Sequence, residues 1–243
     1  MGIWCAAAFA KMGTMGVPKI LVTNDDGWDA PGLEALKVLA AELGEVYVLA
    51  PRDPHSYAGH RVTTDAALYL TETAPREMTL TGTPADCVRV AVTTVFPEVD
   101  WVLAGINLGG NLGADLFMSG TVAAAREAAL LGKPAIAISQ YIRKGLALDW
   151  TRSREIALPV LERLIAQGPG AKGYWNVNLP HLENGAVPTV VECDPDNQPL
   201  DVRYRREGGE VRYAGTYLAR PRTPGSDVDH CFAGCVTISR LTL

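Results

Sequence analysis

Apolar positions along this chain fall into short continuous runs and helical spacings, and the order in which these follow one another predicts the architecture. Residues 18–23 (PKILVT) form an apolar run beside a proline, the pattern of a strand buried on both faces. Leu33, Leu36, Ala40 and Leu43 then recur at helical spacing, with Pro31 suited to the first position and Gly44 to the stop. Val46 to Ala50 reads as a second buried strand. Strand, helix and strand in this order make a βαβ unit with parallel strands. Residues 61–82 read as a β excursion, after which Thr83, Pro84 and Asp86 supply an N-cap, a first helical position and a capping-box return. A further strand, Trp101 to Ala104, runs into a glycine-rich loop over 105–113, and residues 121–131 (TVAAAREAALL) form a helix stopped by Gly132. Residues 200–217 alternate like a β-hairpin turning at Gly208-Gly209. The fold class expected is α/β, an open and mostly parallel sheet flanked by helices, with a β-rich C-terminal arm.

Chemistry is densest where the first strand ends. Val22-Thr23-Asn24-Asp25-Asp26-Gly27 places two adjacent carboxylates at its carboxyl end, where open α/β sheets bind ligands. Side chains alternate along a strand, so both acids converge only if the chain leaves the extended state, which Gly27 permits. A lone Asp at such a place often caps a turn or helix; a pair also suits a divalent cation. The loop Pro54-His55-Ser56 and the segment Gly105-Ile106-Asn107 feed the same end of the sheet. Ser119-Gly120-Thr121 opens the 121–131 helix, where free backbone N–H groups and the positive dipole end could cradle a phosphate or simply form a hydroxyl cap. The glycines of Gly105–Gly113 lack dinucleotide-binding spacing, which counts against a nucleotide-dependent oxidoreductase.

Composition narrows the partners. The 243 residues can bury one full core, and 48% apolar content with a net charge of −5 weighs against a nucleic-acid surface. No apolar segment is long enough to span a bilayer. Five scattered cysteines (Cys5, Cys87, Cys193, Cys231, Cys235) suit a reducing compartment, hence a cytoplasmic location. Cys231 and Cys235 beside His230 lack the second pair that a zinc knuckle needs. Residues 3–10 (IWCAAAFA) have no preceding positive charge and fall short of a secretory signal. Residues 1–14 are therefore expected to lie outside the fold, with 15–243 as a single domain.

Taken in order, TNDDG (23–27), APG (30–32), GTPADCV (82–88), GIN-x-G-x-NLG (105–113), SGTVAAA (119–125), PAIAIS (134–139) and NVNLP (176–180) resemble the SurE (survival protein E) nucleotidase family. The resemblance spans residues 18–180. It implies a Rossmann-like phosphatase that hydrolyses nucleoside 5′- and 3′-monophosphates by metal-assisted water attack. It implies one Mg²⁺ or Mn²⁺ per subunit on Asp25, Asp26, Ser56 and Asn107. Its phosphate-binding groups fall on Asn111, Ser119, Gly120 and Thr121. On this reading Asp25 and Asp26 are the catalytic carboxylates; the chemistry of the pair suits Asp26 to orienting the attacking water, and fits direct water attack better than a covalent aspartyl-phosphate on Asp25. All proposed ligands are oxygens, which favours Mg²⁺ or Mn²⁺ over zinc. On this reading Thr121→Val weakens phosphate binding and leaves Mn²⁺ affinity nearly unchanged. Arg126, Glu127 and Lys133 are expected at the surface, His55 and His60 as solvated loop residues or a general acid. The hairpin suggests a homodimer or homotetramer.

The serine loop departs from the family pattern of Asn-Gln-Ser-Gly, reading Pro54-His55-Ser56-Tyr57 with the glycine delayed to Gly59. The family usually follows its DDG with an apolar residue, and here that position is Trp28 with Asp29 next; residues 195–224 match little of it. A non-catalytic nucleotide-binding module is the alternative of another class, and the Asp25–Asp26 pair counts against it.

Overall fold

The computed structural model describes residues 16–168, 173–183 and 185–243, so the boundary expected at residues 14 and 15 lies outside the described residues. Strand β1 (Lys19–Thr23), helix α1 (Pro31–Leu43) and strand β2 (Glu45–Pro51) realise the βαβ unit, with Pro31 at the helix start and Gly44 as its C-cap. The β excursion is an antiparallel pair, β3 (Leu70–Ala74) and β4 (Glu77–Leu80). Helix α2 (Pro84–Val90) carries the expected capping box between Thr83 and Asp86, and Asp86 also accepts from the backbone and hydroxyl of Thr63.

Strand β5 runs from Trp101 to Leu108, four residues beyond the strand expected from sequence. A bulge against its neighbour between Ala104 and Asn107 lets pairing continue through the glycine-rich stretch. Helix α3 (Gly120–Leu130), strand β6 (Ala135–Gln140), helix α4 (Trp150–Gln167) and strand β7 (Gly173–Leu179) follow. The C-terminal part adds β8 (Val190–Glu192), the hairpin β9 (Tyr204–Glu207) and β10 (Glu210–Tyr213), helix α5 (Asp227–Phe232) and β11 (Val236–Thr242). The hairpin turns at Gly208-Gly209 as expected.

The main sheet has the order β3-β4-β2-β1-β5-β6-β7-β11-β8, parallel from β4 through β7, with β3 and β11 antiparallel to their inner neighbours. The two faces bury separate cores. Ile20 and Val22 of β1 meet α1 and α4, whereas Leu21 faces the side covered by α2 and α3. Each fully buried aliphatic side chain of this kind contributes about 1.5–3 kcal/mol. Trp28 is partly buried and packs against the α1/α4 core. From β1 the chain works outward through β2 to β4 on one side, then returns through α2 to β5 on the other, so the order reverses at β1 and opens a crevice at the carboxyl ends of β1 and β5.

Candidate active site

Leaving β1, the chain turns sharply: Asn24 donates its side-chain amide to the Gly27 carbonyl at 2.7 Å, and Gly27 takes a φ of 100°. This turn brings Asp25 and Asp26 to one cleft, with Asp25 only 5% exposed and Asp26 half-buried. The Thr121 hydroxyl donates a hydrogen bond to Asp25 Oδ1. The Leu108 backbone N–H donates to Asp26 Oδ2 at 3.0 Å. Ser56 and Asn107 line the same cleft. Asn107 donates its side-chain N–H to the Gly109 carbonyl at 2.8 Å, so the nitrogen is turned onto its own loop and Oδ1 is left as the acceptor.

Burial pushes the Asp25 carboxyl up to about 6; the Thr121 hydroxyl opposes this shift, and the charge of Asp26 adds to it. Burial also raises Asp26, against the Leu108 N–H. Neither carboxyl is paired with a basic side chain among the described residues. Two adjacent, desolvated acids with no cationic partner carry a charge conflict that a dication relieves, so these residues fit Mg²⁺ or Mn²⁺. No cluster of three or more His, Cys, Asp or Glu suited to a metal occurs among the described residues. The donors here are two carboxylates, a hydroxyl and an amide oxygen.

Helix α3 enters the cleft from the other side. Ser119 is its N-cap, accepting the Val122 N–H at 3.0 Å, and lines the cleft. A Cβ on Gly120 would lie 2.8 Å from Asp25 Cβ, so only glycine lets the positive end of α3 approach the acid this closely. Thr121 is fully buried with its hydroxyl on Asp25, which makes it a positioning group for the carboxylate. Asn111 donates its side-chain amide to Ser139 Oγ at 2.7 Å, while its backbone is held by Asn176 and Asn178. Those two asparagines come from β7, and no spacing in the sequence links them to the loop that they hold.

Three expectations need correction. Glu127 is 1% exposed, because α3 turns it inward to pair with His60 at 2.7 Å and Arg89 at 2.7 Å. Arg126 is also drawn in, donating to Tyr174 Oη and the Leu116 carbonyl. His60 has one ring nitrogen on Glu127 and the other facing Arg126, so it tethers the serine loop to α3 and is not a solvated loop histidine. Sequence reasoning also passed over Asp115, which accepts from Tyr217 Oη and Arg220 Nη1, each at 2.7 Å. These bonds fasten the C-terminal arm to the cleft, and Tyr217 lines it. Their separation of more than one hundred residues left no local signal.

Comparison with known proteins identifies the family and the fold. The profile of the family described as survival protein SurE matches residues 20–198. A protein of Synechocystis sp., named as a candidate 5′-nucleotidase, is 48% identical over 222 residues, covering 91% of this chain and 98% of its own length. The 5′-nucleotidase SurE of Methylocella silvestris is 42% identical over 235 residues, covering 93% of each chain. The crystal structure of the SurE protein from Aquifex aeolicus superposes with a TM-score of 0.80 at 29% identity, covering 93% of each chain. The chain belongs to the survival protein SurE family.

Proposed function

We propose that the cleft hydrolyses nucleoside monophosphates to nucleoside and phosphate, with one Mg²⁺ or Mn²⁺ held by Asp25, Asp26, Ser56 and Asn107. The observation that carries this reading is the unpaired, desolvated Asp25–Asp26 couple facing the N-terminus of α3 across one cleft. When bound, such a cation polarises a phosphoryl oxygen and neutralises charge as the ester bond breaks. The protein's part is positioning. Thr121 fixes Asp25, and the Leu108 N–H occupies Oδ2 of Asp26, leaving its other oxygen to orient the attacking water. Ser119 and the first N–H groups of α3 offer donors to the phosphate oxygens, and preorganised donors of this kind are worth the most in a desolvated site. Asn111, locked by Ser139, Asn176 and Asn178, shapes the floor beneath the phosphate. The same names borne by the relatives favour nucleotides as the substrate class. No helix among the described residues is long and apolar enough to cross a membrane, and a cytoplasmic location is part of this reading. The hairpin β9–β10 is exposed along its whole length, and Val202, Tyr204, Val211 and Tyr213 stand out from it. It supports association of identical chains as a dimer or tetramer.

The test is phosphate release from a panel of nucleoside monophosphates with Mg²⁺, Mn²⁺ or chelator. Activity with either cation and its loss on chelation is the expected result. Full activity in chelator-treated, metal-free protein overturns the metal-dependent reading.

A further inference from the structure

The serine loop holds a strained aromatic residue that the fold does not use. Ala58 N–H donates to the His55 carbonyl at 3.2 Å, closing a four-residue turn whose third residue is Tyr57. Its φ of 60° lies in the left-handed region, which a turn normally gives to glycine or asparagine at this position. For a bulky side chain this is a true outlier, and such outliers cluster at functional sites. The turn cannot relax freely, because both flanks are pinned. His55 N–H donates to the Asp25 carbonyl at 2.8 Å, and Gly59 N–H donates to the Met118 carbonyl at 3.1 Å.

Nothing in the packing accounts for the ring. Tyr57 is 86% exposed, and among the described residues its side chain makes no hydrogen bond and stacks on no other ring. It nevertheless lines the cleft that holds Asp25, Asp26 and Ser119, together with Leu108 and Met118. Tyr217, the other aromatic residue there, is already engaged: its hydroxyl is on Asp115 and its ring lies against Phe232 and Arg220. The cleft therefore offers one unpartnered aromatic face, one residue from Ser56, beside two exposed apolar side chains.

We propose that Tyr57 is a stacking platform for the base of the nucleotide, and so a specificity-determining residue that makes this chain prefer nucleotides to phosphate esters lacking a base. This rests on the phosphohydrolase reading above and deepens it. Stacking on an aromatic face tolerates every base, since each has a π-face. The platform thus gives breadth across bases with discrimination against compounds that have none.

The experiment compares kcat/KM for adenosine 5′-monophosphate with that for ribose 5-phosphate, in the wild type and in Tyr57→Phe, Tyr57→Ala and Tyr57→Gly. The ratio is expected to fall roughly tenfold in the Ala and Gly variants, as loss of one stacking partner implies, and to stay within about twofold in the Phe variant. Tyr57→Gly is also expected to melt above the wild type in metal-free form, because glycine carries no penalty at this φ. An unchanged ratio in the Ala and Gly variants overturns the proposal, as does an equal fall in the Phe variant, which would assign the effect to the hydroxyl. If the wild type releases phosphate from neither compound, the proposed reaction is wrong. Equilibrium binding of the same two compounds to Mn²⁺-loaded protein then decides the platform: it stands only if adenosine 5′-monophosphate binds more tightly and loses that advantage in the Ala and Gly variants.

Discussion

Asp25 is held against its own charge. Its carboxyl is raised from 3.8 to about 6, so the folded, metal-free protein binds a proton there that the unfolded chain has released. Stability linked to this group is therefore greatest below about pH 4 and is lost as the pH rises through 6. A shift of this size corresponds to a ceiling of roughly 3 kcal/mol at neutral pH. Asp25→Asn removes the titration and keeps an acceptor for Thr121. In chelator it should melt above the wild type at pH 7.5, with an advantage that shrinks toward pH 4. In Mn²⁺ it should bind the cation weakly and turn over slowly. Calorimetric melting at both pH values checks the sign, and a wild type that is the more stable form at pH 7.5 in chelator would refute it. Thr121→Val is the companion test. Sequence alone suggested that it spares the cation, yet the hydroxyl sits on Asp25. Loss of a hydrogen bond to a charged group costs about 1.5–3 kcal/mol, so Mn²⁺ affinity should fall by roughly tenfold or more. Titration calorimetry showing unchanged Mn²⁺ affinity would return Thr121 to the phosphate.

Helix α3 is placed by what its residues lack. Gly120 and the run Ala123-Ala124-Ala125 let the helix lie close to β5 and β6, aiming its N-terminus at Asp25. Alanine at 120 improves helix propensity by up to about 1 kcal/mol, but its Cβ would press on the Asp25 side chain. Overpacking of this kind costs about 1–3 kcal/mol. The variant Gly120→Ala is therefore expected to be no more stable than wild type and to lose most of its turnover. A more stable and fully active variant would show that the helix end tolerates displacement. At the far end of the same element, Glu127 gathers His60 and Arg89, so one helix fixes both the acid and the loop that carries Ser56.

Across the molecule, two lobes of sequence meet at the cleft. Asp115 receives Tyr217 and Arg220 from the arm, and Asp227 of α5 receives the backbone N–H groups of Gly113 and Asp196. The arm is thus anchored at its base, while β9 and β10 pair only with each other. A two-stranded hairpin with exposed Tyr204, Val211 and Tyr213 is marginal alone in water. Light scattering should give the mass of a dimer or tetramer, and deletion of residues 204–213 should reduce it toward that of one chain. A single-chain mass for the intact protein would refute the association.

The sequence by itself determined the parallel βαβ frame, the start and stop of α1, the capping box of α2, the hairpin turn and the position of the acid pair at the end of β1. Each depends on neighbours in the chain: apolar period, a cap within three residues, a glycine after a strand. The tertiary structure alone decided that Thr121 serves Asp25, that Glu127 turns inward, and that Asn176, Asn178 and Ser139 lock Asn111. It also decided that β5 continues through its bulge and that the arm returns to Asp115. These contacts join residues separated by up to more than one hundred positions. Their geometry follows from which strands pair and which helix lies across them, and local periodicity carries no record of either.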